Sequence, residues 1–279
     1  MVELVLAVAI ALILAIGAIW ITGAFEPVFG VKSDDPAWFV ALRGARPPRL
    51  APGVQVRWSG GADFPLIGGD EGYWSRFYIL AGGKAGETPL ALDDVEDAFV
   101  ARISMFAPPS FALGILRTLC TLGIFGKPQG DVIRSIDGVE FRKDVMPSNE
   151  SIAALLMRPP TYSPTMVNFL SYHPVAKYAD GRPSTGATAY QRYGRVAMKT
   201  VYRTGGALIF YGKVLEIVRP AKAGPCVGVW DDVAAMRYPN PPAILSMENV
   251  PEYRAALHHR DAGLARTIVI ATQPIPSAA

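Results

Sequence analysis

Residues 207–218 read ALIFYGKVLEIV, and the reading of this stretch decides the fold of the half that holds it. Its β-branched and aromatic residues predict a strand, bent at Gly212, where a missing side chain marks a bend or a close approach. Outward from it, Met166 to Tyr172 (MVNFLSY) alternates as a strand does. Ala189 to Tyr202 has helical spacing and is broken by the Gly205-Gly206 pair. Cys226 to Tyr238 predicts another strand, and Arg266 to Thr272 (RTIVIAT) closes with a β-branched one. Between them, Pro241-Pro242 opens helical turns that resume at Pro251 as PEYRAALHHRDAGL, because a first helical turn tolerates proline.

The order of these elements is β-α-β-β-α-β, the ferredoxin-like plan. The expected class is therefore α+β, with a ferredoxin-like domain over residues 151–279. Residues 53–150 carry a fainter version of the same grammar. Val54 to Trp58 alternates, Trp74 to Leu80 is aromatic-rich, and Asp97 to Phe106 has Ala98, Val100 and Ile103 around Arg102. Phe111 to Phe125 is apolar except for one stripe of Gly114, Arg117, Thr118 and Thr121. That pattern suits a helix packed on a sheet, or one lying in a membrane surface. Asp131 to Lys143 reads as a hairpin turning at Asp137-Gly138. A strand running through Arg102 into Pro108-Pro109 and a helix echoes Arg237 running into Pro239 and Pro241-Pro242. On that echo, residues 53–150 form a degenerate repeat and the chain holds two such halves in tandem. The pairs Gly60-Gly61, Gly68-Gly69 and Gly82-Gly83 read as turns between strands.

The N-terminal run Leu4 to Ile21 (LVLAVAIALILAIGAIWI) holds no charge and no proline. About 20 apolar helical residues match a bilayer core of about 30 Å. A cleaved signal peptide wants a basic leader and a shorter core, whereas Glu3 is acidic and Thr22-Gly23-Ala24 is a poor cleavage site. Residues 1–25 are thus expected to form a retained transmembrane helix, with the bilayer as partner through residues 4–21. Lys32, Arg43, Arg46, Arg49 and Arg57 follow the run and no basic residue precedes it. The expectation is a single-pass protein of the bacterial inner membrane, N-terminus out and body on the cytoplasmic side. Residues 26–52, rich in proline, read as a juxtamembrane connector with a short helix over Pro36 to Leu42.

A net charge of +3, dispersed along the chain, argues against a nucleic-acid partner. Two cysteines, Cys120 and Cys226, give neither a disulfide framework nor a metal-ligand cluster. The chain shows no Gly-rich phosphate loop, no HExxH, no CxxC and no nucleophile elbow, so no cofactor or metal is expected.

On several of these stretches the chain resembles an uncharacterised bacterial family, domain of unknown function thirteen-thirty, of the dimeric α/β-barrel superfamily. The matching pieces are Ala189-Tyr190-Gln191-Arg192-Tyr193-Gly194, Gly205-Gly206-Ala207 leading into Tyr211-Gly212-Lys213, Trp230-Asp231-Asp232-Val233 with Arg237-Tyr238-Pro239, and Pro251-Glu252-Tyr253-Arg254-Ala255 with His258-His259-Arg260. The family has no settled reaction. Superfamily relatives include cofactor-free monooxygenases, haem-degrading enzymes, isomerases and dehydratases, so the resemblance implies a fold more than a function.

Candidate chemistry concentrates on the last helix. Tyr253, Ala256, Leu257, Arg260 and Leu264 share one stripe, with His259 on its flank and His258 nearly opposite. Adjacent histidines cannot both face one metal, and position 262 is Ala. Arg260, a permanent cation on an apolar stripe, must reach solvent, pair with Asp231 or Asp232, or meet a ligand anion. His259, His258 and His173 are the candidate proton carriers, histidine being the side chain whose ordinary pKa lies near neutrality. Arg237 and Tyr238 mark a strand-to-helix rim. Tyr190, with Tyr193, Tyr202 and Tyr211, is candidate pocket lining. Two functions are compatible with these residues. One is a cofactor-free enzyme acting on a small, anionic or partly apolar substrate. The other is a non-catalytic, membrane-tethered ligand-binding or protein-interaction module. The assembly is a homodimer, or an internal pseudo-dimer if both halves are repeats.

Overall fold

The computed structural model describes residues 2–24, 36–44, 46–68, 72–84, 86–93, 95–106, 108–137 and 142–275; the side chains of residues 19–24 and 143 are not described. In chain order the elements are α1 (Val2–Ala24), β1 (Ala37–Arg43), β2 (Gln55–Ile67), β3 (Arg76–Ala81), β4 (Asp97–Met105), α2 (Ser110–Thr121), α3 (Asn149–Leu156), β5 (Thr165–Tyr172), α4 (Gly186–Arg203), β6 (Ala207–Arg219), β7 (Asp232–Arg237), α5 (Pro241–Leu245), α6 (Pro251–Gly263) and β8 (Leu264–Gln273).

The strands close into one barrel in the order β1-β3-β2-β8-β5-β7-β6-β4, every pair antiparallel. Each half contributes four strands in the same order of pairing, β4-β1-β3-β2 and β8-β5-β7-β6. The halves join at two seams, β2 against β8 and β4 against β6. Closure leaves no strand edge unpaired, which removes the usual liability of an open sheet.

Period-two alternation sorts the side chains between two cores. Inward, Val167 and Phe169 of β5, Val233 and Ala235 of β7, and Ile268 and Ile270 of β8 meet Phe39, Phe77 and Phe99 from the other half. Phe169 sits at the centre of this cluster, with ring centroids 5.2 Å from Phe39, 5.6 Å from Phe99 and 5.4 Å from Trp230. The barrel interior is therefore filled by aromatic side chains. Outward, Met166, Val269 and Ala271 pack under the helical layer of α3, α4, α5 and α6.

Several expectations need correcting. The expected class paired a ferredoxin-like dimeric α/β-barrel unit with one N-terminal transmembrane helix. The sheet is a single closed antiparallel barrel drawn from both halves; the helix is where the expectation fails. Among the described residues no helix is long and apolar enough to cross a membrane. The single-pass inner-membrane placement, N-terminus out and body on the cytoplasmic side, falls with the anchor.

The short helix expected over Pro36 to Leu42 is strand β1. Its run AWFVALR is buried on both faces, Phe39 and Ala41 in the barrel and Trp38, Val40 and Leu42 against an outer cluster. A doubly buried strand shows no alternation to read. Gly60-Gly61 is no turn either. It lies inside β2, where a Cβ on Gly60 would come within 2.9 Å of Thr272 Oγ1 across the β2–β8 seam. Val132 to Ile136 is not a strand, and the expected turn at Gly138 and the strand over 139–141 lie outside the described residues. α2 packs beside α1 and against α4, with its Arg117 guanidinium 4.8 Å from the Tyr202 ring.

Candidate functional site

Two local features aim side chains into the space between the outer sheet face and the helices. The first is a β-bulge in β6, where the register with β7 shifts between Leu208 and Phe210. Ile209 and Phe210 both enter the barrel core, while Leu208 and Tyr211 face outward. A bulge re-aims the residues after it. Gly212 follows with its backbone against Ile103, whose Cδ1 lies 2.8 Å from where a Cβ would stand.

The second feature is the glycine contact between α4 and α6. A Cβ on Gly263 would meet Gly186 O at 2.7 Å and Tyr190 N at 2.8 Å. Only hydrogen side chains let the two backbones come this close. The contact sets Tyr190 and Tyr193 of α4 beside Tyr253 and Arg260 of α6.

The resulting cavity has a volume of about 780 Å³. Its floor is Met166, Asn168 and Leu170 of β5 with Ala234 and Met236 of β7, and α2 closes it through Leu113 and Leu116. α4 presents Tyr190, Tyr193, Ala197, Met198 and Val201, the helical spacing of one face. Such a volume, with a largely apolar lining and few polar groups, is that of a small-molecule site.

Arg260 is the buried cation in this wall, which the exposed Arg195 of α4 also lines. Arg260 is 8% exposed, its Nη1 donates to Met146 Sδ at 3.3 Å, and its guanidinium carbon lies 5.9 Å from the Tyr193 ring centroid. No carboxylate among the described residues comes within ion-pair distance of it. Asp231 accepts from the Tyr172 backbone amide at 2.7 Å, and Asp232 accepts from two phenols. Glu248 also lines the cavity. Burial pushes its carboxyl up, against the pull of Arg260 and Arg254. The Tyr190 hydroxyl has no hydrogen-bond partner among the described residues and lines the same space. Burial drives its pKa well up, so it stays a neutral donor. Tyr193 and Tyr253 bond each other at 3.0 Å between hydroxyls.

The remaining sequence candidates divide. Tyr238 lines the cavity, its hydroxyl 3.5 Å from Met247 Sδ. Arg237 is exposed at the end of β7 and is not part of the lining. None of the three histidines lines the cavity. His258 is exposed and bonds Ala255 O through Nδ1 at 2.6 Å. His259 Nδ1 meets Tyr178 OH at 2.6 Å, and His173 Nε2 meets Arg142 Nη1 at 3.3 Å. Tyr202 lies under α2 rather than on the cavity. Among the described residues no three metal-ligating side chains gather.

Sequence reasoning missed Glu248 and Met146, which sit in short irregular connections without periodicity. It also missed Tyr172 as a partner of Asp232, 60 positions away.

His259 and His173 have an acid-side consequence. Burial lowers both pKa values, helped at His259 by His258 and Arg192 and at His173 by Lys177 and Arg142. Above the unfolded value of about 6.5 both states are neutral and stability is flat in pH. Below it the unfolded chain binds protons first, so stability falls until the folded pKa values are passed. Denaturant midpoints measured between neutrality and mild acid should drop, and His259→Gln should flatten part of that slope.

Two solved structures are similar to this chain. A methylated RPA0582 protein is 31% identical, with 48% of this chain and 97% of that chain covered and a TM-score of 0.43. The RPA0582 protein of unknown function from Rhodopseudomonas palustris is 30% identical, with 47% and 96% covered and a TM-score of 0.42. No family model matches the chain, and no curated protein matches it.

Proposed function

We propose that the chain binds a small, predominantly apolar carboxylate in the cavity between the β5–β7–β8 face and helices α2, α4 and α6. The observation that carries the reading is Arg260, a buried guanidinium opening on an apolar cavity with no carboxylate within ion-pair distance among the described residues. Leaving a cation buried and uncompensated is costly, and an incoming anion removes that cost while making charge-assisted hydrogen bonds. Tyr190, a neutral hydroxyl free to donate, is placed to share the anion. The apolar body of the ligand then covers Met166, Met198, Met236 and Val269, and thioether side chains adapt to varied shapes. This reading takes the binding alternative over the enzyme, because the three candidate histidine bases lie off the cavity.

Titration calorimetry with a medium-chain carboxylate and the alcohol of equal length tests it. The carboxylate should bind at least about tenfold tighter, the value of roughly one charge-assisted hydrogen bond. Equal affinities would remove Arg260 from the account. Glu248→Gln should tighten carboxylate binding roughly three- to tenfold, since it deletes a nearby negative charge in a poorly solvated site. Weaker binding in that variant would mean Glu248 holds the ligand rather than opposes it.

A further inference from the structure

The cavity has a second polar pole, on the wall that Tyr211 provides. Asp232 is 7% exposed, and one of its oxygens, Oδ2, accepts from both Tyr172 OH, at 2.5 Å, and Tyr211 OH. The two phenol oxygens stand 3.4 Å apart. Both phenol protons are thereby committed to one carboxylate oxygen. A hydroxyl that has given away its proton keeps only lone pairs to offer. Tyr211 faces the cavity, so this pole presents a hydrogen-bond acceptor backed by a buried acid.

The two poles belong to one aromatic wall. Arg260 lies over Tyr193, Tyr193 packs on Tyr190 at 5.4 Å between centroids, and Tyr190 packs on Tyr172 at 5.2 Å. One end of the wall thus offers a cation and the other an acceptor, with apolar lining between them.

Resting on the carboxylate reading of Arg260, we infer that the ligand is bifunctional. It is a carboxylate whose far end carries a hydrogen-bond donor, a hydroxyl or an ammonium, which bonds to the Tyr211 oxygen. Acceptor-only groups such as esters, ethers and ketones are disfavoured there, because they would set lone pair against lone pair. A plain alkyl terminus leaves the buried acceptor without a partner, and this mismatch gives a polar site its discrimination.

Three homologous series of medium-chain acids test the inference by titration calorimetry: plain acids, ω-hydroxy acids and ω-amino acids. In the wild-type protein the best ω-hydroxy or ω-amino acid should bind about tenfold tighter than the best plain acid. Tyr211→Phe, which removes the acceptor and keeps the ring, should erase that gap. A larger gain for the amino series would assign part of the recognition to the Asp232 charge, and a larger gain for the hydroxy series would assign it to the phenol oxygen. Plain acids binding as tightly as the others in the wild type would overturn the inference and leave the Arg260 reading standing. A gap that survives Tyr211→Phe would also overturn it. Failure of every series to bind would overturn both readings, and that result needs no variant to fold.

Discussion

Arg260→Met is expected to weaken carboxylate binding roughly ten- to hundredfold without lowering the melting temperature. The two halves of that expectation have one cause. Arg260 is buried against Met146 Sδ and the Tyr193 ring, and neither neutralises its charge. Hydrogen bonds to charged groups contribute about 1.5–3 kcal/mol, which sets the size of the affinity loss. Removing a buried cation that has no ion-pair partner among the described residues relieves its desolvation, and an apolar residue of similar volume fills the space it leaves. A structural arginine behaves the opposite way: its loss lowers stability and leaves ligand affinity unmoved in the folded fraction. Calorimetric titration beside a thermal melt separates the two. An Arg260→Met protein that melts early and binds normally would return the residue to the scaffold.

The largest stability loss is expected at Phe169→Ala. Phe169 is fully buried, and its ring meets Phe39, Phe77, Phe99 and Trp230 edge-on. Truncation removes contacts to strands of both halves at once and leaves a void in a closed barrel that cannot collapse around it. Phe-to-Ala changes in cores cost about 3–5 kcal/mol, and the upper part of that range applies where relaxation is blocked. For a chain of this size each kcal/mol moves the melting temperature by roughly 2–4 °C. Ligand affinity should persist in the folded fraction, because Phe169 faces inward while Asn168 and Leu170, its neighbours on β5, face the cavity. Chemical denaturation with ligand titration at low denaturant checks both parts. A loss under about 1 kcal/mol would mean the interior is less tightly packed than these ring contacts imply.

The strands of the second half were legible from the β-branched and aromatic residues of MVNFLSY and RTIVIAT, although one face lies in the barrel and the other under helices and double burial weakens alternation. The same physics hid β1. AWFVALR is covered on both sides and reads as an apolar run of no fixed period. Internal closure was an expectation resting on the repeat, but which strands meet was not legible, because the seams β2–β8 and β4–β6 pair residues separated by long stretches of chain. The apolar run at the N-terminus reads by length alone as a membrane helix, an assignment the described part of α1 does not support.

At the site, Arg260 was visible as the cation that breaks an apolar stripe, and Tyr190 and Tyr211 as aromatic lining. The histidines drew attention for their ordinary pKa, yet their contacts are with Tyr178, Arg142 and a helix carbonyl. The Asp232 pole could not be read, since it depends on a bulge that turns Tyr211 outward and on a strand pairing that brings Tyr172 alongside.

A crystal structure grown with a medium-chain carboxylate tests the central claim most directly. The account predicts the carboxylate within hydrogen-bond distance of the Arg260 guanidinium and the Tyr190 hydroxyl, its chain lying along Met166, Met198 and Met236. A ligand bound elsewhere, or one whose carboxylate points away from Arg260, would contradict it.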